Sequence, residues 1–213
     1  MHTVRHATFS EGPRLVPVLE AETHAFVATQ YREPAHHFVW HYHPETELVW
    51  NRQGQGMRYV GRSVGRFAAG DLVLVRGNVP HTWASAPEQQ GEAIWTVIHF
   101  LPERWGPEFW QLPELRKLRA LLAGNGHDVR FTGARVWKIG EAIEKLAATP
   151  ARDARSVIKF LSIGEELVRT PHYKLSSLTA GGEVYDPDPR LRTVLDWLDQ
   201  HIASPVSESA AAA

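Results

Sequence analysis

Short apolar segments separated by turn residues dominate the chain from residue 14 to about residue 100. Five of these segments are rich in Val, Ile, Leu and aromatic residues, which β-strands favour: 37–42 (HFVWHY), 45–52 (ETELVWNR), 56–61 (GMRYVG), 71–76 (DLVLVR) and 93–100 (AIWTVIHF). Glycine-containing turns lie between them at 53–56, 61–65, 70–71 and 77–80. Many short strands with no helical pattern between them predict an antiparallel sandwich or barrel rather than a parallel sheet.

Beyond residue 104 the hydrophobic period changes to that of helices. Residues 112–124 carry leucines at 112, 115, 118, 121 and 122, residues 136–146 carry an apolar stripe, and residues 151–170 carry a third apolar face. Residues 173–187 contain a Gly-Gly and an Asp-Pro pair, which is typical of a linker. A last amphipathic helix is predicted to begin near Asp188, a favourable N-cap that Pro189 follows.

Composition and charge narrow the class of protein. The chain has 213 residues, and its 23 Lys and Arg against 24 Asp and Glu give a formal net charge of −1. That balance argues against binding nucleic acid through bulk positive charge. The sequence has no apolar run of membrane-spanning length, no signal-peptide pattern at its start and no cysteine. We therefore expect a soluble, cytoplasmic protein with no membrane contact.

Histidines are concentrated in the predicted β region. The chain has 12, of which six lie between residues 36 and 99: His36, His37, His41, His43, His81 and His99. His41 and His43 alternate on one strand and therefore face the same side. Pro44 ends that strand, Glu47 lies at the start of the next, and His81 stands at a later strand entrance, so a barrel interior could bring these four residues together.

Three imidazoles and one carboxylate suit Fe, Mn, Ni, Zn or Cu and leave coordination positions open for a ligand. The same side chains could instead hydrogen-bond a small ligand directly, with Glu47 paired to an arginine. We expect His36, His37 and His99 to be structural or solvated. Trp83 shares the strand face of His81, so that it either lines the cavity or packs in the core.

The spacing H-x-H-x3-E, followed by a Gly-Asp strand and a later Pro-His, resembles the cupin barrel. The resemblance implies that His41, His43, Glu47 and His81 hold a divalent transition metal such as Zn, Ni, Mn or Fe. It also implies the fold class: α+β and mainly β, a cupin-like antiparallel β-barrel (double-stranded β-helix) followed by an α-helical hairpin. The second motif departs from the family, which commonly has Pro and Gly where this chain has Arg76 and Asn78.

The stretch 40–83 looks more specifically like the N-terminal sensing domain of AraC-type transcription regulators. The order of segments agrees with that family: a barrel at 1–104, a helical dimerisation or packing segment at 105–172, a linker at 173–187, and the start of a helix-turn-helix domain at 188–213. The resemblance implies that the recognition helices that would enter the major groove lie outside this chain, which ends at Ala213.

The resemblance implies a homodimer that senses a small polar effector, a sugar or an organic acid, and that contacts DNA only through the missing C-terminal domain. The effector would be held by His41, His43, Glu47, His81 and Trp83. Two alternatives stay open: a metal-dependent cupin enzyme, such as a dioxygenase or sugar isomerase, and an interaction module with an empty barrel.

Overall fold

The computed structural model describes residues 12–18, 24–123, 127–149 and 153–175. Its strands are β1 (Arg14–Leu15), β2 (Val27–Glu33), β3 (His41–Tyr42), β4 (Thr46–Gln53), β5 (Gly56–Val60), β6 (Ser63–Phe67), β7 (Asp71–Val75), β8 (His81–Ser85), β9 (Ala93–Phe100), β10 (Val129–Phe131) and β11 (His172–Lys174). Its α-helices are α1 (Pro107–Trp110), α2 (Arg116–Leu122), α3 (Arg135–Ala147) and α4 (Ala154–Val168), and 3₁₀ turns cover Pro102–Trp105 and Pro113–Leu115.

The strands form two sheets that face each other. The five-stranded sheet has the order β1-β3-β8-β5-β6, and the six-stranded sheet has the order β11-β10-β7-β4-β9-β2. Neighbouring strands are antiparallel, apart from the short parallel pair β1–β3. This is the predicted mainly β, cupin-like barrel, and the packed helices α3 and α4 supply the predicted helical hairpin.

The central strands β4, β7 and β9 of the six-stranded sheet are buried on both faces, and their side chains alternate between two cores. Leu48 and Trp50 of β4 pack towards the helices, whereas Val49 packs inside the barrel. Strands β7 and β9 follow the same rule, with Leu74 outside and Val73 inside on β7. Glu47 therefore points into the barrel, because it shares the parity of Val49.

The helices cover the outer face of this sheet. α3 places Ile139 and Ile143 in the outer core, and α4 begins at the N-cap Asp153, whose side chain accepts hydrogen bonds from the main-chain N–H groups of Arg155 and Ser156. α3 approaches the sheet closely at Gly140, where a Cβ atom would lie 2.1 Å from Cε2 of Trp50. None of the described helices combines the length and apolar composition that a membrane-spanning helix needs.

Several element boundaries differ from the sequence expectation. The helix predicted at 112–124 is a 3₁₀ turn followed by the shorter α2, and Leu112 is half exposed rather than part of the buried stripe. Strand β3 covers only the end of the predicted strand 37–42. Strand β10 lies within the segment expected to be helical, and β11 covers the end of that segment and the first residues of the predicted linker at 173–187. β10 extends the sheet by pairing with β7. The predicted linker beyond residue 175 and the helix from Asp188 lie outside the described residues.

Candidate ligand and metal site

The barrel interior brings together the four residues singled out by the sequence. Within the described chain, His41, His43, Glu47 and His81 each offer one ligand atom, and these atoms lie within 4.8 Å of one another. His41 and His81 are cross-strand partners of β3 and β8, with ring centroids 4.4 Å apart. Glu47 reaches the same point from β4 in the facing sheet. We call these four residues the His–Glu cluster.

Main-chain carbonyl groups orient the three imidazoles of the cluster. Each ring places Nδ1 within hydrogen-bond distance of a nearby carbonyl oxygen: His41 to Val39 at 2.8 Å, His43 to Glu45 at 3.1 Å and His81 to Val79 at 2.7 Å. Because a carbonyl oxygen only accepts, each Nδ1 carries the hydrogen. The Nε2 atom of each neutral ring is therefore left with a lone pair, as in a metal-binding histidine.

Two of these lone pairs point at a carboxylate. His43 Nε2 lies 2.9 Å and His81 Nε2 3.2 Å from Glu47 Oε2. Lone pairs facing an anionic oxygen repel it, so the arrangement needs either a proton on an imidazole or a cation among these atoms. The donor set of three imidazole nitrogens and one carboxylate, each ring fixed through Nδ1, fits a divalent transition metal.

The charges in the cluster are strongly interdependent. Burial alone would raise the pKa of Glu47, but the charge of His81 and hydrogen bonds from the surrounding imidazoles outweigh it, and the pKa lies well below its ordinary value of 4.5. Burial lowers the pKa of His81, but the adjacent Glu47 carboxylate reverses that effect and raises it. Burial, and secondarily the neighbouring His81, lowers the pKa of His41 to about 4. Without a metal, a proton bound to these two rings is therefore favoured on His81 over His41.

His99 is a third imidazole in contact with this carboxylate, although the sequence predicts it to be structural or solvated. Its Nε2 atom lies 3.0 Å from Glu47 Oε2, and its side chain is only 12% exposed. Glu47 and His99 are register partners of β4 and β9, so the contact follows from strand pairing. The inward parity that His99 shares with Val97 is the signal that could have identified it.

A cavity of about 410 Å³ opens beside the cluster, and we call it the barrel cavity. Its walls include His41, Glu47 and His99 together with the aromatic side chains of Trp83 and Trp95. Trp83 both lines this cavity and belongs to the inner core, so the two alternatives drawn from the sequence hold together.

His36 and His37 also line the barrel cavity, outside the His–Glu cluster. His36 is buried, with Nε2 3.1 Å from Asn51 Oδ1 and its ring 4.0 Å from that of Trp95. Burial lowers the pKa of His36 to about 4, so this ring is neutral at physiological pH. His37 is exposed at the cavity wall.

The turn that carries His81 contains a residue in the left-handed conformation and a hydrogen bond to the first motif. Asn78 stands where the family commonly has Gly and adopts φ +62°, a left-handed conformation that asparagine tolerates better than most residues. Its main-chain N–H donates to the carbonyl of His43 at 2.7 Å. The turn is thereby tied directly to the first motif.

Comparison with curated proteins found no significant sequence match. Three solved structures show low similarity. A cupin 2 conserved barrel domain protein from Rhodopseudomonas palustris is 16% identical with a TM-score of 0.32, over 37% of this chain and 53% of that protein. ToxT from Vibrio cholerae O395, bound to (E)-4-(8-methylnaphthalen-1-yl)but-3-enoic acid, is 10% identical with a TM-score of 0.45, over 88% and 70%. The AraC-like transcriptional activator CuxR is 10% identical with a TM-score of 0.39, over 87% and 61%.

At these TM-scores the similarity is too low to transfer a residue role or a ligand to this chain. The chain spans about half the length of the R. palustris protein.

A protein-family model matches the part of the chain that forms the barrel. Residues 23–122, which contain the whole His–Glu cluster and every residue that lines the barrel cavity, match the family model described as the AraC-like ligand binding domain.

Proposed function

We propose that this chain is the effector-sensing part of an AraC-type transcriptional regulator, and that its barrel binds a small polar molecule beside a divalent transition metal. One coincidence carries the proposal: the family match at 23–122 encloses a cavity that opens directly onto the convergent His–Glu cluster. Cavities of this size, with apolar and aromatic walls and a few convergent polar groups, are typical of small-molecule sites.

The metal would be held by His41, His43, Glu47 and His81, and when bound it would supply open coordination positions for an oxygen of the effector. The other residues position these ligands. His99 holds the carboxylate of Glu47 from β9, and the main-chain carbonyls keep the three Nε2 lone pairs directed inward. A sugar or an organic acid of modest size matches the cavity of about 410 Å³ and its mixed lining.

Strand β4 offers a route from the barrel to the helical layer. Glu47 faces the barrel cavity, whereas Trp50 on the same strand packs on the outer face and donates from Nε1 to Glu144 of α3 at 2.7 Å. A ligand that shifts β4 would therefore move α3. We propose that α3 and α4 form the homodimer face and that this shift biases DNA binding by a C-terminal domain that begins near residue 188.

A metal titration tests the site. Protein treated with a chelator is titrated with Zn²⁺, Ni²⁺, Mn²⁺ and Fe²⁺, and the melting temperature is recorded. A free metal concentration of about 100 times Kd raises the free energy of unfolding by about 2.7 kcal/mol. For a chain of this size that corresponds to a rise in melting temperature of roughly 5–10 °C. His41→Ala and His43→Ala should lose this rise, whereas His37→Ala, the same change at an exposed cavity wall, should keep it. The metal proposal fails if no ion binds or if both cluster variants bind normally.

Effector binding is tested separately, with a panel of sugars and organic acids followed by calorimetry on the metal-loaded and metal-free protein. The sensing proposal predicts one saturable ligand whose affinity falls in His41→Ala. Turnover of that ligand would instead favour the metal-dependent enzyme. Two helix-turn-helix patterns encoded downstream of codon 213 would support the regulatory assignment.

A further inference from the structure

A second cavity, of about 600 Å³, lies on the helical side of the six-stranded sheet, and we call it the basic cavity. It is lined by the end of β7, one face of α2, the end of α4 and the strands β10 and β11: Arg76, Lys117, Ala120, Leu121, His127, Val129, Val168, His172 and Lys174. Arg76 shares the outward parity of Leu74, so this cavity lies outside the barrel. It shares no lining residue with the barrel cavity.

The lining of this cavity carries charge of one sign. Among the described residues that form it, three are Lys or Arg, two are His and none is acidic, although the whole chain has 23 Lys and Arg against 24 Asp and Glu. The barrel cavity, by contrast, includes Glu33 and Glu47, and the groove between α3 and α4 includes Glu166. A concave surface with one sign of charge focuses the potential and concentrates ions of the opposite sign.

A buried acid lies next to the basic cavity. Asp128 is fully buried, and its Oδ1 accepts a hydrogen bond from the main-chain N–H of Arg76 at 2.7 Å. The charge of Asp128 also acts on the guanidinium of Arg76 and offsets part of its positive charge. The two lysines, by contrast, have no acidic residue beside them in the cavity lining.

The side chain of Arg76 is held in place at the base of the cavity. Its Nη2 donates to the main-chain carbonyl of Leu121 near the end of α2. Burial lowers the pKa of Arg76, which means that its guanidinium is poorly solvated. Because arginine remains charged, an anion in the cavity would recover part of the lost solvation energy.

Strand register and helix periodicity place two lysines on the walls around this base. Lys174 is the register partner of Val129, and the two side chains stand on the same face of β10 and β11. Lys117 lies on the same face of α2 as Leu121, four residues away. Both lysines are exposed, so their ammonium groups are free to reach into the cavity.

We propose that the basic cavity binds a small organic anion. Its carboxylate or phosphate group would contact Arg76, Lys117 and Lys174, and its apolar part would lie against Leu121, Val129 and Val168, which supply the apolar floor. This inference does not depend on the metal or on the effector of the barrel, since the two cavities face opposite sides of the sheet.

Calorimetric titration of the full chain tests the proposal at constant ionic strength. Inorganic phosphate probes the head group alone, and butyrate and butyl phosphate add an apolar part to each type of head group. We expect one saturable site with a dissociation constant below about 10 mM for at least one of these probes. Tighter binding of butyrate or of butyl phosphate identifies the preferred head group.

Matched lysine variants locate the site. Lys117→Gln with Lys174→Gln should weaken binding by at least about tenfold for each lysine, the value of one charge-assisted contact. The control is Lys138→Gln with Lys159→Gln, which removes two lysines from the groove between α3 and α4 and should leave affinity unchanged. The proposal is overturned if no probe gives saturable binding, or if both double variants bind equally well while retaining the wild-type melting temperature.

Discussion

Replacing Glu47 with Gln tests whether the carboxylate charge holds the barrel interior together in the metal-free protein. The change preserves shape but removes the charge that Oε2 presents to His43, His81 and His99 at 2.9, 3.2 and 3.0 Å. Because the pKa of Glu47 is lowered in the folded state, its ionised form stabilises the fold at neutral pH, and that contribution is lost in the variant.

The expected magnitude follows from burial. Glu47 is 5% exposed and His81 is 1% exposed, and breaking such a buried ionic pair typically costs about 3–5 kcal/mol. For a chain of this size the loss corresponds to a fall in melting temperature of roughly 6–20 °C. Urea unfolding and calorimetry at pH 7.5 with a chelator present measure both quantities.

A matched control separates this effect from the general effect of changing a carboxylate to an amide. Glu144→Gln makes the same change on α3, where the carboxylate accepts a hydrogen bond from Trp50 and forms a partly exposed ion pair with Arg52. This change should lower the free energy of unfolding by about 1.5 kcal/mol or less. If Glu47→Gln stays within about 1 kcal/mol of the wild type, or no further from it than the control, the charge of Glu47 does not stabilise the fold.

Three further changes probe the structure around the site. His36→Gln should flatten the dependence of the free energy of unfolding on pH. The pKa of His36 is about 4 in the folded state and 6.5 in the unfolded state, so the wild type loses stability as the pH falls below 6.5 and is about 2 kcal/mol less stable at pH 5. If urea unfolding gives the same change in free energy with pH for both proteins, this prediction is wrong. Asp71→Asn should lower the free energy of unfolding by about 3–5 kcal/mol, because the buried Arg58, 2.7 Å away and 3% exposed, would lose its charged partner. A decrease below about 1 kcal/mol in urea unfolding would count against the pairing. Gly140→Ala should cost about 1–3 kcal/mol or more and change the near-ultraviolet dichroism of Trp50, and a spectrum identical to the wild type would show that α3 tolerates the added methyl group.

The sequence predicted those features of the site that depend on local periodicity. Alternation along a strand was enough to pair His41 with His43, and a period of 3.6 was enough to place Ile139 and Ile143 on the buried face of α3. Glu47 and His81 entered the prediction through their positions at the starts of predicted strands, and the resemblance to the cupin motif then supported them. The barrel then brought all four side chains of the His–Glu cluster together.

Features that depend on pairing between distant segments were missed. His99 meets Glu47 only because β4 and β9 pair in one particular register, and a single sequence does not reveal register. Strand β10 has three residues, too few for an alternating pattern to stand out, and it becomes a strand because β7 offers it an edge. Asn78 could supply the left-handed turn in place of Gly, which composition alone does not show.

Strands β10 and β11 are synthesised long after β7, so one edge of the sheet stays open while the chain is being made. Among the described strands, β10 covers the edge of β7, and β11, which ends at Lys174, covers the far edge of β10. At a synthesis rate of roughly 5–20 residues per second, β7 is complete several seconds before β10. A bare strand edge is a template for pairing with another chain. Fragments that stop before His172 would leave β10 as the edge of the sheet, so we expect them to aggregate more readily than a chain that includes Lys174.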